Sequence, residues 1–370
     1  MSPAGVVEAF GLGDLPWRSR YDALLAACPA GFVQQSSQWA EAIAPLGPDR
    51  VILLLFHDGT RDVAGLPLYL FEGSSGPVLT SVPQPGPLGG VFVRPGVAEG
   101  DVEEAYARLI RRAVDLAQEH QCLTLTLITN PFQPDLERYR RHLAPDYELA
   151  NFTQYVPLPE AVAGGRLVVR DALRRSNLSR ALKRAHEAGF TVTEATTEQD
   201  LRAWYPVHAA RHTALGARPL ELRLFEGLMS RLGPTQRALW LVRRGDEVAS
   251  GCFFVLHQEV MDVYMLSAAP AHLEDAPNFL NTEHSLLWAA GRGVKVYNWQ
   301  SSPARDSGVY RYKMQWGSRE ASYSFVTRRL CDPARLRAIG PDGARTSYRG
   351  HYLAPFPILE SGAATGRFEK

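Results

Sequence analysis

One order of extended and helical segments occurs twice in this chain, and that repetition limits its possible folds more than any single residue does. In the first half, apolar runs bounded by turn residues lie at 51–57, 63–71 and 78–82, the first two joined by His57-Asp58-Gly59-Thr60. Runs of this kind mark strands. A Pro/Gly loop from Pro83 to Gly90 leads into Val91-Phe92-Val93. Residues 102–120 then space Ala105, Leu109, Ala113 and Leu116 along one helical face behind Asp101, and 122–129 is again a strand. The second half has strands at 238–243, 248–257 and 260–267, a helix at 278–290 and a strand at 294–300. Both halves read strand, turn, strand, strand, loop, helix, strand. Strands alternating singly with helices would build one doubly wound sheet; this order predicts two copies of a mixed unit. The expected fold class is α/β of the α+β kind, with two tandem domains, each a mostly antiparallel sheet flanked by helices.

Three further helices are expected between the sheets, at 170–187, 198–213 and 220–232. The expected domains are residues 1–160 and 161–330, followed by a Gly-, Pro- and Arg-rich tail at 331–370. With 370 residues, the chain is long enough for two cores. Its 40 Lys plus Arg against 39 Asp plus Glu leave a net charge of +1, which excludes a grip on nucleic acid through bulk charge. No run approaches the ~18–20 apolar residues of a membrane span. The first thirty residues hold Glu8, Asp14 and Asp22 and no basic start, unlike a secretory signal. Cys28, Cys122, Cys252 and Cys331 stand far apart, which suits reduced, buried thiols and a cytoplasmic location rather than a disulfide frame or zinc site.

Several segments together resemble a known family. They are Phe32-Val33-Gln34-Gln35-Ser36-Ser37-Gln38-Trp39, Gly89-Gly90 before a short strand, and the basic stretch Arg174-Arg175-Ser176-Asn177-Leu178-Ser179-Arg180. Later come Tyr297-Asn298-Trp299 and Gly308-Val309-Tyr310-Arg311-Tyr312-Lys313-Met314-Gln315-Trp316-Gly317. Their order and spacing resemble Fem-type proteins, the FemAB-like branch of the GNAT acyltransferase superfamily, over roughly residues 32–330. The resemblance implies a tandem pair of GNAT-like domains and transfer of an acyl or aminoacyl group from an activated donor to an amine. It puts Lys313, Trp316 and Gly317 beside the donor channel of the second domain and Trp39 with the acceptor. An ammonium at Lys313 would neutralise a phosphate or the oxyanion that forms when an amine attacks a carbonyl. Apart from that role, Lys313 reads as a surface lysine lying over Tyr312 and Trp316.

Aminolysis of an ester or thioester needs a neutral amine, a proton acceptor and oxyanion stabilisation, but no covalent nucleophile. The chain has no Gly-x-Ser-x-Gly elbow. The family's usual coenzyme A loop, Arg/Gln-x-x-Gly-x-Gly/Ala, presents backbone N–H groups to a pyrophosphate. Here that place holds Ser267 to Pro277, with no glycine, two prolines that offer no N–H, and the acids Glu274 and Asp275. Aminoacyl-tRNA is therefore the expected co-substrate, with acyl-CoA the alternative, and no cofactor is expected to bind tightly. The expected partners are a charged tRNA or acyl carrier as donor and a small-molecule or peptide amine as acceptor.

Arg174, Arg175 and Arg180 lie on the expected basic helix, placed to meet donor phosphates or to form a solvated face. Asn281 and Glu283 begin the helix at 278–290. Asn281 would hydrogen-bond a carbonyl and Glu283 would take a proton through water, while capping explains the same residue types without function. Tyr264, Asn298, Gln300 and Tyr310 are polar groups in or beyond neighbouring strands and complete the expected donor site. His208 and His212 are one helical turn apart, but no third ligand stands near, so no metal is expected. Arg211 and His212 are assigned to the acceptor. The rival classes are an acyl-CoA-dependent N-acyltransferase and a non-catalytic GNAT-like binding module.

Overall fold

The computed structural model describes residues 5–83, 86, 88–168, 177–348, 350–361 and 365–369. Arg174, Arg175 and the first part of the helix expected at 170–187 lie outside the described residues. The chain forms two compact units, Met1–Phe152 with Ser322–Lys370, and Thr153–Ala321. The expected boundaries after 160 and 330 are thus displaced, and the expected C-terminal tail belongs to the first unit.

Unit 1 begins with β1 (Val6–Phe10), α1 (Leu15–Ala26), α2 (Ser37–Ile43), β2 (Arg50–His57), β3 (Asp62–Gly73), β4 (Gly76–Thr80) and β5 (Phe92–Val93). It continues with α3 (Glu99–Glu119), β6 (Thr124–Ile128), α4 (Leu136–Leu143) and β7 (Tyr147–Pro157), which runs past the boundary at Phe152. Strands β1 to β4 pair antiparallel in sequence order, and β4 pairs parallel with β6. Helix α3 carries Glu99 and Asp101 in its first turn, where the helix dipole favours acids. Its Ala105, Leu109 and Ala113 pack on Leu54, Leu66, Leu68, Leu125 and Leu127.

Unit 2 contains α5 (Asn177–Glu187), β8 (Thr191–Glu194), α6 (Glu198–Ala214), α7 (Leu222–Arg231), β9 (Arg237–Arg244), β10 (Glu247–His257) and β11 (Val260–Ala268). It ends with α8 (Pro277–Gly291), β12 (Val296–Gln300), α9 (Gly308–Met314) and the start of β13 (Arg319–Arg329). Strands β8 to β11 pair antiparallel in order and β11 pairs parallel with β12, repeating the first unit's pattern. Residues 154–157 of β7 pair antiparallel with β12. Helix α6 starts on a capping box in which the Thr197 hydroxyl accepts from Asp200 N–H at 3.1 Å. Below α8, Leu286 and Ala289 pack on Cys252, Phe254, Met261, Tyr297 and Trp299.

Residues 325–329 of β13 return to pair with β6 in unit 1. They are followed by α10 (Pro333–Ser347), α11 (Phe356–Ser361) and β14 (Gly366–Glu369). Leu336, Tyr348, Leu353, Ile358 and Leu359 close over Val78, Leu123 and Tyr147, the sheet face opposite α3. Burying that second apolar face is what turns the expected tail into part of the core. No described helix is long and apolar enough to cross a membrane.

Candidate functional site

The second unit's parallel seam opens into a fork. Strands β11 and β12 are in register only at Val260↔Val296, Met261↔Tyr297 and Asp262↔Asn298, although β11 runs on to Ala268. Each arm carries an extra residue at the point of parting. Against β10, Phe253 pairs with Met265 and Phe254 with Val263, which leaves Tyr264 unmatched. Against β7, Asn298 pairs with Tyr155 and Gln300 with Gln154, which leaves Trp299 unmatched. A bulge bends its strand and increases local twist. Two at one level push the arms apart.

Polar side chains fill the angle of the fork. Asn298, fully buried, donates from Nδ2 to Asp262 Oδ1 at 2.5 Å and accepts at Oδ1 from Thr153 Oγ1 at 2.6 Å and Gln300 N at 3.3 Å. Asp262 is only 2% exposed. Gln154 accepts from Ser302 Oγ at 2.6 Å and donates to the Tyr310 carbonyl at 3.2 Å, tying the loop after β12 to β7. Gln300 ends β12 in the left-handed region at φ 61°, which is uncommon for a residue with a side chain. Its Nε2 is buried and has no hydrogen-bond partner.

Lys313 is 7% exposed and not a surface group. Its Nζ donates to the Gln300 carbonyl at 3.0 Å and the Ser301 carbonyl at 2.9 Å. Helix α9 brings it there. The helix starts at Ser307, whose hydroxyl accepts from Tyr310 N–H, and docks on α8 through Tyr312 Oη, 2.9 Å from Thr282 Oγ1 and 3.1 Å from the Asn278 carbonyl. Trp316 is a core residue against Phe279, and Gly317 supplies the positive φ of 75° that turns the chain into β13. The Tyr310 hydroxyl donates to Glu320 Oε1 at 2.8 Å, and this bond to a carboxylate raises its pKa.

Tyr264 lies on the other wall, wholly buried beside Phe225 and Phe253, and burial raises its pKa. Above it, α6 carries His208, whose pKa burial and then His212 lower to about 4, so it is neutral at pH 7. The His208 and His212 rings lie 4.2 Å apart, and no group of three potential ligands for a metal occurs among the described residues. Arg211 and His212 are half-buried on the same helix.

The structure thus gathers Asn298, Gln300, Lys313 and Tyr310 at one end of β12, with Tyr264 on the opposite arm. Asn281 and Glu283 are elsewhere. Asn281 is buried one turn inside α8 and donates to the Trp240 carbonyl at 2.9 Å, on β9, two strands away from β11. Glu283 pairs with His186 of α5 at 2.6 Å. Arg180 is exposed on α5 and bonds its neighbour Asn177. Trp39 belongs to unit 1, where it lies on α2 and is fully buried. The sequence reading missed Asp262, Thr153, Gln154 and Ser302. Asp262 alone offered a signal, a carboxylate inside the apolar run Val260-Met261-Asp262-Val263.

Residues 172–314 match the family described as Acetyltransferase (GNAT) domain. No curated protein matches the chain. Among solved structures, FemX superposes with a TM-score of 0.65 at 13% identity, covering 86% of this chain and 97% of that one. L-PGS from Bacillus licheniformis gives 0.55 at 11% identity, over 90% and 96% of the two chains. A tandem GNAT protein from the clavulanic acid biosynthesis pathway gives 0.50 at 12%, over 88% and 99%. The matched residues contain the forked seam of β11 and β12. Beyond residues 172–314, the likeness to FemX and to the tandem GNAT protein, at 13% and 12% identity, is one of fold.

Proposed function

We propose that the protein transfers an aminoacyl group from a charged tRNA to an amine, such as that of a cell-wall precursor, a peptide or a natural product. One observation carries this reading: the fork between β11 and β12, an opening in a paired sheet with a polar, buried angle at its base. The two arms leave strand edges beyond Asp262 and Asn298 to which an extended donor arm can hydrogen-bond. The donor's carbonyl would lie near the end of β12, with Tyr264 on one side and Gln300, Tyr310 and Lys313 on the other. Trp316 and Gly317 hold α9 in place. Arg174, Arg175 and Arg180 would meet the donor's phosphates, and Arg211 and His212 on α6 the acceptor. Asn281 and Glu283 take a packing role in this reading.

The loop before α8 supports tRNA over coenzyme A. It forms a short 3₁₀ turn over Pro270–Asp275, and Asp275 is held by Arg244 at 2.8 Å. Pro277 opens α8 without an N–H, so the helix start presents a carboxylate and a proline where a pyrophosphate would need donors. FemX and L-PGS, whose folds this chain shares, suit the same reading. The test is transfer from a charged tRNA pool, and separately from an acyl-CoA pool, to a panel of amines followed by mass spectrometry. Products from the tRNA pool alone are expected. Products from the acyl-CoA pool alone refute the assigned donor.

A further inference from the structure

We propose that the side-chain amide of Gln300 holds the donor's carbonyl oxygen while the amine adds to it, and that Lys313 is a positioning residue that fixes Gln300. The assignment rests on the fork being the transfer site. Two independent features meet at this residue. Its backbone sits in a left-handed conformation that residues with a side chain avoid, and its Nε2 is buried with no hydrogen-bond partner. Strained backbone and orphaned buried donors both oppose folding, and they persist where a ligand uses them.

The surroundings hold the residue from both sides. Its N–H donates to Asn298 Oδ1, the side chain that also anchors the fork's base. Its carbonyl and that of Ser301 both accept from Lys313 Nζ. The buried ammonium is therefore engaged with the main chain that follows Gln300, and the amide is left to meet a substrate. Gln300 stands two residues beyond the last shared rung of β11 and β12, at the level where the arms have parted. An amide donor fixed before the reaction, in a site that excludes water, gains most when negative charge develops on its partner.

The chemistry balances with these groups. The amine lone pair forms the new C–N bond, and the carbonyl π pair moves to oxygen, which accepts from Gln300 Nε2–H. When that pair returns, the bond to the carrier oxygen breaks and its electrons stay on the carrier. The carrier oxygen takes the proton that the amine gives up, directly or through water. The products are an amide and the free carrier hydroxyl. A thioester donor follows the same path with sulfur in place of oxygen.

The test uses the full chain, with bulk aminoacylated tRNA and acetyl coenzyme A as separate donor probes and hydroxylamine as the amine, read as hydroxamate. Gln300→Leu is expected to lower kcat about 10²–10³-fold, with KM within about threefold and Tm unchanged or higher. Gln300→Gly, which accepts the positive φ, should raise Tm and lose kcat to the same degree. Lys313→Met should lower kcat with little change in KM, and Lys313→Arg should recover part of that loss. If the wild type transfers and Gln300→Leu matches its kcat within about twofold, or changes only KM, the assignment is overturned while the transferase reading stands. If the wild type transfers from neither probe, the transferase reading fails and the assignment with it.

Discussion

Replacing Asn298 with aspartate tests the base of the fork without changing its shape. Asn298 Nδ2 donates to Asp262 Oδ1 at 2.5 Å inside the protein, so the substitution sets two carboxyl groups face to face. Both cannot ionise at that distance in a buried site, and one must keep its proton. A protonated carboxyl at position 298 can donate to Asp262 as the amide does and still accept from Thr153 and Gln300, so the variant should approach wild-type stability near pH 5. The shared carboxyl has a folded pKa raised above its unfolded value of about 3.9. The folded state therefore holds one more proton than the unfolded state as pH rises, and stability falls by about 1.4 kcal/mol per pH unit until the folded group ionises. Between pH 5 and 8 the loss reaches about 4 kcal/mol, or roughly 10 °C in Tm for a domain of this size. Urea unfolding of wild type and Asn298→Asp at both pH values measures it. A variant equally stable relative to wild type at pH 5 and 8 would falsify the buried contact between residues 262 and 298.

Asp135 in unit 1 makes a separate prediction. Burial raises its pKa to about 7, while Tyr106 Oη donates to its Oδ2 at 2.7 Å. Its stability contribution should therefore fall by about 3–4 kcal/mol as pH rises from about 4 to 7 and level off above. Asp135→Asn keeps an acceptor for Tyr106 and should abolish that decline; an unchanged slope in urea unfolding would refute the shift. At Gly251, a Cβ would lie 2.2 Å from Trp204 Cδ1 and 2.8 Å from Leu241 Cδ2. Gly251→Ala should cost about 1–3 kcal/mol through overpacking and displace α6, seen as a lower Tm and a changed Trp fluorescence maximum; an unaltered Tm would count against the close packing of α6 on β10.

The sequence carried the elements whose pattern is local and strong. Expected strands at 51–57, 248–257 and 260–267 correspond to β2, β10 and β11, and the helix expected at 278–290 to α8. What it hid depends on distant partners. Strands β7 and β13 each divide between the two units, and Arg319–Arg329 changes from exposed to buried along its length, so it has no single periodicity. Helix α10 contains Gly340 at φ 63° followed by Pro341, two breakers that read as loop, yet Leu336 on one side and Tyr348 beyond its end still reach the core. Family resemblance singled out Lys313, but its carbonyl partners at 300 and 301 come from a turn that no local pattern announces. Bulges have the same character. An extra residue such as Tyr264 or Trp299 looks like any other strand residue until the partner strand supplies the count.

Those two extra residues also distinguish the parallel seams of the repeated units. In unit 1 the equivalent parallel seam stays closed as far as Ser81, just past the end of β4. Leu123 N donates to the Pro77 carbonyl, Leu79 and Thr80 align with Leu125 and Thr126, and Ser81 N donates to the Thr126 carbonyl at 3.0 Å. The Ser81 hydroxyl then accepts from Ile128 N at 3.0 Å, a side chain completing the ladder where β4 ends. Neither β3 against β4 nor β6 against β13 shows a register shift. With no bulge on either strand, nothing turns their edges apart, and their backbone groups are spent on each other. Unit 2 has the same strand order and connections, but one added residue on each arm leaves the same kind of edge unpaired. Among the described residues the parallel seam thus opens in unit 2 and not in unit 1, and the two units differ there by two residues of register rather than by topology.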